Sequence, residues 1–202
     1  MSRRLLAPLL FACCCLSIGA HAAVCTVAEA RAAKQDAVEW LTYLTGNQVD
    51  HYFHLGKWNQ AVAMLDRQIE ITPADIDPYS SAAWLLWSNG RNDEAMRYYH
   101  RMIAADPNNP EGYFIIGTYY YQFRRQYADA LGWYRLALDH GLQSPKRHMY
   151  GHTLEHLNRT ADALAFWRQI AAEDPKDAVA ARQITRLISQ PTAAPPPAPA
   201  GK

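Results

Sequence analysis

Charge of one sign is what this sequence most plainly lacks. Its 20 Lys and Arg stand against 19 Asp and Glu, a formal +1. Neither a polybasic footprint nor an acidic tail is present, so no nucleic acid is expected as a partner. Usable cysteine is scarce as well. Three of the 4 cysteines, Cys13, Cys14 and Cys15, fall in a segment expected to be removed, which leaves Cys25. A single thiol makes no internal disulfide, so stability must come from helix packing. Cys25 could link two chains, but a bystander is the simpler reading. The one long apolar run, Leu5 to Ile18, is too short and wrongly flanked for a membrane span. Ser-His-Asp spacing, a phosphate loop and a cofactor fingerprint are missing too, and no cofactor is expected. General disorder is excluded by an apolar half, 6 Trp and 12 Tyr.

What is present begins with an export signal. Arg3 and Arg4 precede the apolar run, and Ala20-His21-Ala22 is a small-residue cleavage signature. Residues 1–22 therefore read as a signal peptide, cut after Ala22 or Ala23, and predict a periplasmic or extracellular protein. Ser2-Arg3-Arg4 faintly suggests a twin-arginine signal, although ordinary secretion also starts from basic residues. Leu10-Phe11-Ala12-Cys13 resembles a lipobox, but Phe11 fits poorly and the apolar run continues past it. Membrane association follows only if Cys13 is lipidated.

The chain then repeats itself. Shifting Asn89 to Pro107 back by 34 residues lays Gly90 on Gly56, Ala95 on Ala61, Tyr99 on Leu65, Ile103 on Ile69 and Pro107 on Pro73. Shifted forward, the pattern finds Ala130, Tyr134 and Leu138, then Ala163, Trp167 and Pro175. A period of this size marks stacked helical hairpins. Each second helix carries apolar residues at i, i+4 and i+8, one packing stripe headed by a small Ala. The third unit is irregular. Ala95 to Ala130 is 35 residues and Ala130 to Ala163 is 33, with the extra residue expected between Phe123 and Gln126 and its offset near Gly141-Leu142.

Around this core, residues 23–47 read as an N-terminal segment and helix, with Ala28 to Leu44 helical and Gly46 its expected stop. A shorter helix from Gln48 to Leu55 opens the repeats, which span residues 48–176. Asp77-Pro78, Asn109-Pro110 and Ser144-Pro145 are each expected to cap a first helix. Asn89-Gly90 and Asn158 supply turns inside the hairpins. Residues 177–189 read as a capping helix, and residues 190–202 as an extended, disordered Pro/Ala-rich tail.

On these residues the chain resembles the tetratricopeptide repeat family. Tyr79 and Tyr113, Gly117 and Gly151, Tyr120, and the recurring Ala, aromatic and Pro positions carry the match over about Gln48 to Pro175. Val49 and Ala83 depart from the small glycine, and Arg147 from the early aromatic. The resemblance implies an all-α, right-handed solenoid of about four hairpins whose first helices line a concave groove for a partner's peptide. Carried onto this chain, the groove positions are Asp50, Phe53 and His54, then Ser80, Trp84, Trp87 and Ser88. Phe114, Thr118, Tyr121 and Gln122 follow, then His148, His152, Glu155 and His156. None is Lys or Arg, so the basic clamp for a terminal carboxylate that some members use is not expected. The rings suit an apolar or Pro-containing peptide, which makes the expected role a non-enzymatic adaptor of the cell envelope. Such rings also stack on sugars, so an envelope glycan is the alternative ligand.

His148, His152 and His156 recur every four residues along one helix face. Two histidines so placed can grip one zinc, and His152 to His156 reads H-x-x-E-H, with Glu155 as the base of a hydrolase. The same residues fit the repeat frame as polar groove lining, which is the expectation preferred. Groove histidines would also make partner binding pH-dependent.

Overall fold

The computed structural model describes residues 27–189. The signal peptide, Cys25 and the Pro/Ala-rich tail expected from the sequence lie outside them. The described residues hold nine α-helices, one π-helical segment and no strand. The chain divides into two compact units, Met1–Leu44 and Thr45–Lys202.

The helix α1 runs Val27–His54. In its first unit the side chains are mostly exposed, with Val38 half-buried, and Trp40 and Tyr43 pair at 6.4 Å. Gly46 does not stop this helix, contrary to expectation. A lone glycine weakens a helix by about 1 kcal/mol but need not end it. Termination waits for Gly56, whose φ is 66°.

The second unit continues as α2 (Trp58–Ile71), α3 (Asp77–Ser88), α4 (Asn92–Ala105) and α5 (Pro110–Thr118). The π segment Tyr119–Arg124 leads to α6 (Tyr127–Asp139), then α7 (His148–His156), α8 (Thr160–Glu173) and α9 (Ala178–Ser189). The end of α1 with α2, then α3 with α4, α5 with α6, and α7 with α8 are the hairpins. The stack is an all-α solenoid, and α9 packs on its last hairpin through Ala180 and Leu187.

One backbone device recurs at each hairpin turn. Gly56, Gly90, Arg125 and Asn158 all have positive φ, and each stands five residues before the Ala that heads the next stripe. Those alanines, Ala61, Ala95, Ala130 and Ala163, are all 0% exposed. The irregular third repeat now has a physical form. A π turn holds one residue more than an α turn, and the Gln126 amide closes it on the Tyr120 carbonyl at 3.0 Å. The 35-residue spacing is that extra residue.

Opposite the stripes lie sockets. A Cβ on Gly117 would stand 2.6 Å from the Tyr134 ring, and one on Gly151 would stand 2.5 Å from Trp167. Only glycine admits rings so close. Leu65 is smaller, and in its core the corresponding position is filled by Val49. The early aromatics act as latches, since Tyr79 donates to the Pro73 carbonyl at 3.0 Å and Tyr113 to that of Pro107 at 2.9 Å. The third linker lacks that proline, and Arg147 instead reaches Glu173 at 2.6 Å.

Capping follows expectation at one proline only. Asn109 accepts from the Glu111 amide at 3.0 Å. Asp77 lies inside α3, and Asp75 accepts its amide instead. Ser144 and Pro145 stand ahead of α7, which starts at His148.

Candidate functional site

The first helices of the hairpins bring aromatic side chains together along one side of the second unit. Phe53 lies 5.7 Å from Trp84, Trp84 meets Trp87 edge-on at 6.4 Å, and Trp87 lies against a tilted Phe123 ring at 4.1 Å. The two tryptophans divide the work. Trp84 is 43% exposed. Trp87 is half-buried, covered on one face by Phe123 and packed against the core of Tyr99 and Tyr119. Trp84 is therefore the ring offered outward and Trp87 its support. Beside it a cleft of about 560 Å³ opens between α1 and α3, floored by Val49, Phe53 and Leu85 and rimmed by Asp50, Ser80 and Ser81. Asp50 pairs with His54 at 3.3 Å, and Ser88 returns its hydroxyl to the Trp84 carbonyl at 2.6 Å.

Phe123 was absent from the expected groove, because only the π turn sets it opposite Trp87. It is 49% exposed. The middle positions are more enclosed than expected. Phe114 is half-buried against Tyr134 at 5.5 Å, and Lys146 stands 5.5 Å over its ring. Thr118 donates to the Phe114 carbonyl at 2.9 Å and takes the Tyr134 hydroxyl at 3.3 Å. Tyr121 sits edge-on to Tyr127 and His156, each at 5.3 Å, and burial chiefly raises its pKa. Gln122 is exposed.

The histidines do not act as a ladder. His148 is a correction to the expected groove: it is 8% exposed, and its Nε2 lies 2.6 Å from Asp177 Oδ2. Asp177 also accepts the Val179 and Ala180 amides at 3.0 and 2.9 Å, so the pair ties α7 to the start of α9. His152 is half-buried and edge-on to Trp167 at 5.0 Å, and burial holds its pKa below the ordinary value. His156 is exposed and stacked on Tyr127 at 4.5 Å. Three neighbours on one helix thus have three different partners.

Glu155 is committed elsewhere. It accepts from the Trp167 indole at 2.8 Å and from Arg186 of α9. The H-x-x-E-H reading gave it the role of a zinc hydrolase's base, and the geometry makes it a bridge between helices instead. Among the described residues no group of three His, Cys, Asp or Glu could hold a metal ion. Arg186 also lines a hollow of about 290 Å³ with Tyr121, His152 and His156. The first-helix positions carried no cation, and the capping helix supplies one. Sequence reasoning missed this residue because α9 lies outside the repeat frame.

Paired antiparallel helices, a left-handed residue at each turn, and small residues seating rings define an α-solenoid of helical hairpins. Residues 52–114 match the family model described as Tetratricopeptide repeat, and the second unit has the all-α fold of a tetratricopeptide repeat solenoid. No curated protein matches the sequence. Solved structures share the fold at low identity. The MamA protein superposes with a TM-score of 0.52 at 13% identity, covering 73% of this chain and 80% of that one. The pilF protein of Pseudomonas aeruginosa gives 0.52 at 18%, covering 77% and 69%. Yeast Tom70 gives 0.57 at 16%, covering 89% of this chain and 37% of Tom70. The family supports a protein-interaction role, and its members are typically scaffolds without catalysis.

Proposed function

We propose that this chain is a non-enzymatic adaptor of the cell envelope that holds a peptide segment of a partner protein against Trp84. The signal-like residues 1–22 support its export. One observation carries the binding reading: Trp84 is 43% exposed at the edge of an open apolar cleft. An exposed aromatic with a buried support has the form of an anchor at protein interfaces. Phe53 and Leu85 supply an apolar floor, and Ser80, Ser81 and Asp50 supply hydrogen-bonding groups at the rim, a combination that suits an extended peptide.

The test is crosslinking in the native compartment followed by identification of what is attached, for wild type and Trp84→Ala. The expected outcome is a small set of attached proteins that disappears with Trp84→Ala while the melting temperature holds. An unchanged set would end this reading. Export is checked separately by sequencing the N-terminus of the protein recovered outside the cytoplasm, with Ala23 or Val24 expected first.

A further inference from the structure

The line of rings that starts at Phe53 and Trp84 runs on into a hollow of different chemistry. The π segment joins the two. Phe123 lies 4.1 Å from Trp87, and Tyr121, two residues earlier on the same turn, meets His156 edge-on at 5.3 Å. Side chains two apart on a helical turn point to nearly opposite sides, so one segment faces back to α3 and forward to α7. Beyond Tyr121 the hollow of about 290 Å³ is closed by α7, the start of α8 and α9. Its one carboxylate is spent: Glu155 Oε1 takes the Trp167 indole at 2.8 Å, and Oε2 takes Arg186. The Glu155 side chain is 17% exposed and that of Arg186 40%, so this pair turns its positive end outward. Arg186 gives Nε to Gln183 at 2.8 Å and Nη2 to Glu155, which leaves Nη1 without a partner among the described residues. Tyr121 and Thr160 add hydroxyls and Asn158 an amide, none in a hydrogen bond among the described residues.

We infer that the Arg186 hollow is a second subsite of the groove and takes an acidic side chain from the partner segment whose apolar residue sits at Trp84. The inference rests on the adaptor reading and gives that segment a charge and a direction. Unspent donors around an outward-facing cation suit a carboxylate, because a hydrogen bond to an ionised acceptor is about twice as strong as a neutral one. The Trp84 cleft has the opposite sign, since its one charged group is Asp50. A segment lying along the rings therefore meets an acid at one end and a guanidinium at the other. Its Asp or Glu belongs at the α9 end, and a basic residue placed there would face Arg186 and be rejected.

The test selects random peptides displayed on phage against the full chain, each fused through its C-terminus so that no free chain end is offered. Enriched sequences should join an apolar or proline residue to an Asp or Glu at one recurring spacing. An amidated synthetic copy of the most enriched peptide is then titrated by fluorescence anisotropy. Thr160→Glu puts a second carboxylate in the hollow at the first residue of α8, where a helix start favours an acid and the fold is kept. It should weaken the acidic peptide about fivefold, and less so in high salt. Arg186→Gln should weaken it in the same way, with a melting curve to report on α9. A peptide whose acid is replaced by the matching amide should bind weakly and ignore Thr160→Glu. Enriched peptides without an acid, an acid whose removal costs nothing, or equal affinity for wild type and Thr160→Glu would overturn the inference. So would acidic peptides indifferent to Trp84→Ala, because the hollow would then be a separate site. If selection enriches nothing, or enriches acid-free peptides, while crosslinking still depends on Trp84, the acidic subsite falls and the adaptor reading stands.

Discussion

Arg125 holds a left-handed backbone at φ 52° where two of its counterparts are glycine and the third is Asn158. For a long side chain that conformation costs about 1–2 kcal/mol. Glycine removes the strain but gains freedom when unfolded, worth about 0.4–1 kcal/mol. Arg125→Gly should therefore stabilise by up to about 1 kcal/mol, read as a raised urea midpoint at unchanged slope. The opposite sign is expected at Gly151, where a Cβ would stand 2.5 Å from the Trp167 ring, a side chain 0% exposed and unable to yield. Gly151→Ala should cost about 1–3 kcal/mol, in the range of overpacked cores, and denaturant unfolding will show it. Trp84→Ala touches exposed surface and should leave stability nearly unchanged while it abolishes partner binding. The reverse pattern would make the ring structural.

The elements show where the sequence was readable and where it was not. Hairpin turns and stripes follow from local rules: a small residue every 34 or so, rings four further on, and a turn residue five before. The 35-residue gap was visible, but a spacing cannot say whether a chain absorbs its extra residue as a loop or as a π turn. Phe123 was missed for that reason. His148 was placed in the groove because helical periodicity gives a face, and it gives no account of Asp177, 29 residues on. Gly46 misled because a glycine signals a stop only where a positive φ follows, and here that residue is Gly56. The start of α9 carries a pH prediction. Burial works to raise the Asp177 pKa, but the Ala180 amide, His148 and the Val179 amide outweigh it and hold it below the ordinary 3.8. A carboxyl lowered by folding contributes stability fully above its unfolded pKa, and that contribution is lost as pH falls through the folded value. The stack should therefore weaken in acid below about pH 4. Asp177→Asn should flatten that dependence and lose about 1 kcal/mol at neutral pH if the cap is weakened. Thermal melts at stepped pH will show whether the two curves converge.

Across the second unit stability passes between neighbours, since a hairpin in such a stack cannot bury its stripe alone. The capping helix covers the core of Leu154, Trp167 and Ile170 with Ala180 and Leu187. Interrupting it, for example by Leu187→Asp, should expose that core and produce dye binding and aggregation from the C-terminal end. Limited proteolysis should then cut α8 before α2. The glycine sockets bear on how such an array can be rebuilt. Each ring and the gap that seats it belong to one hairpin, Gly117 with Tyr134 and Gly151 with Trp167. A complete helix pair can thus be transplanted, duplicated or deleted with its lock and key intact. A chimera joined inside a pair would set Tyr134 or Trp167 against a side chain where its glycine stands, or Leu65 over an empty seat. The natural unit of shuffling is the pair, and gene fusions between repeats should be made in the linkers that join one pair to the next.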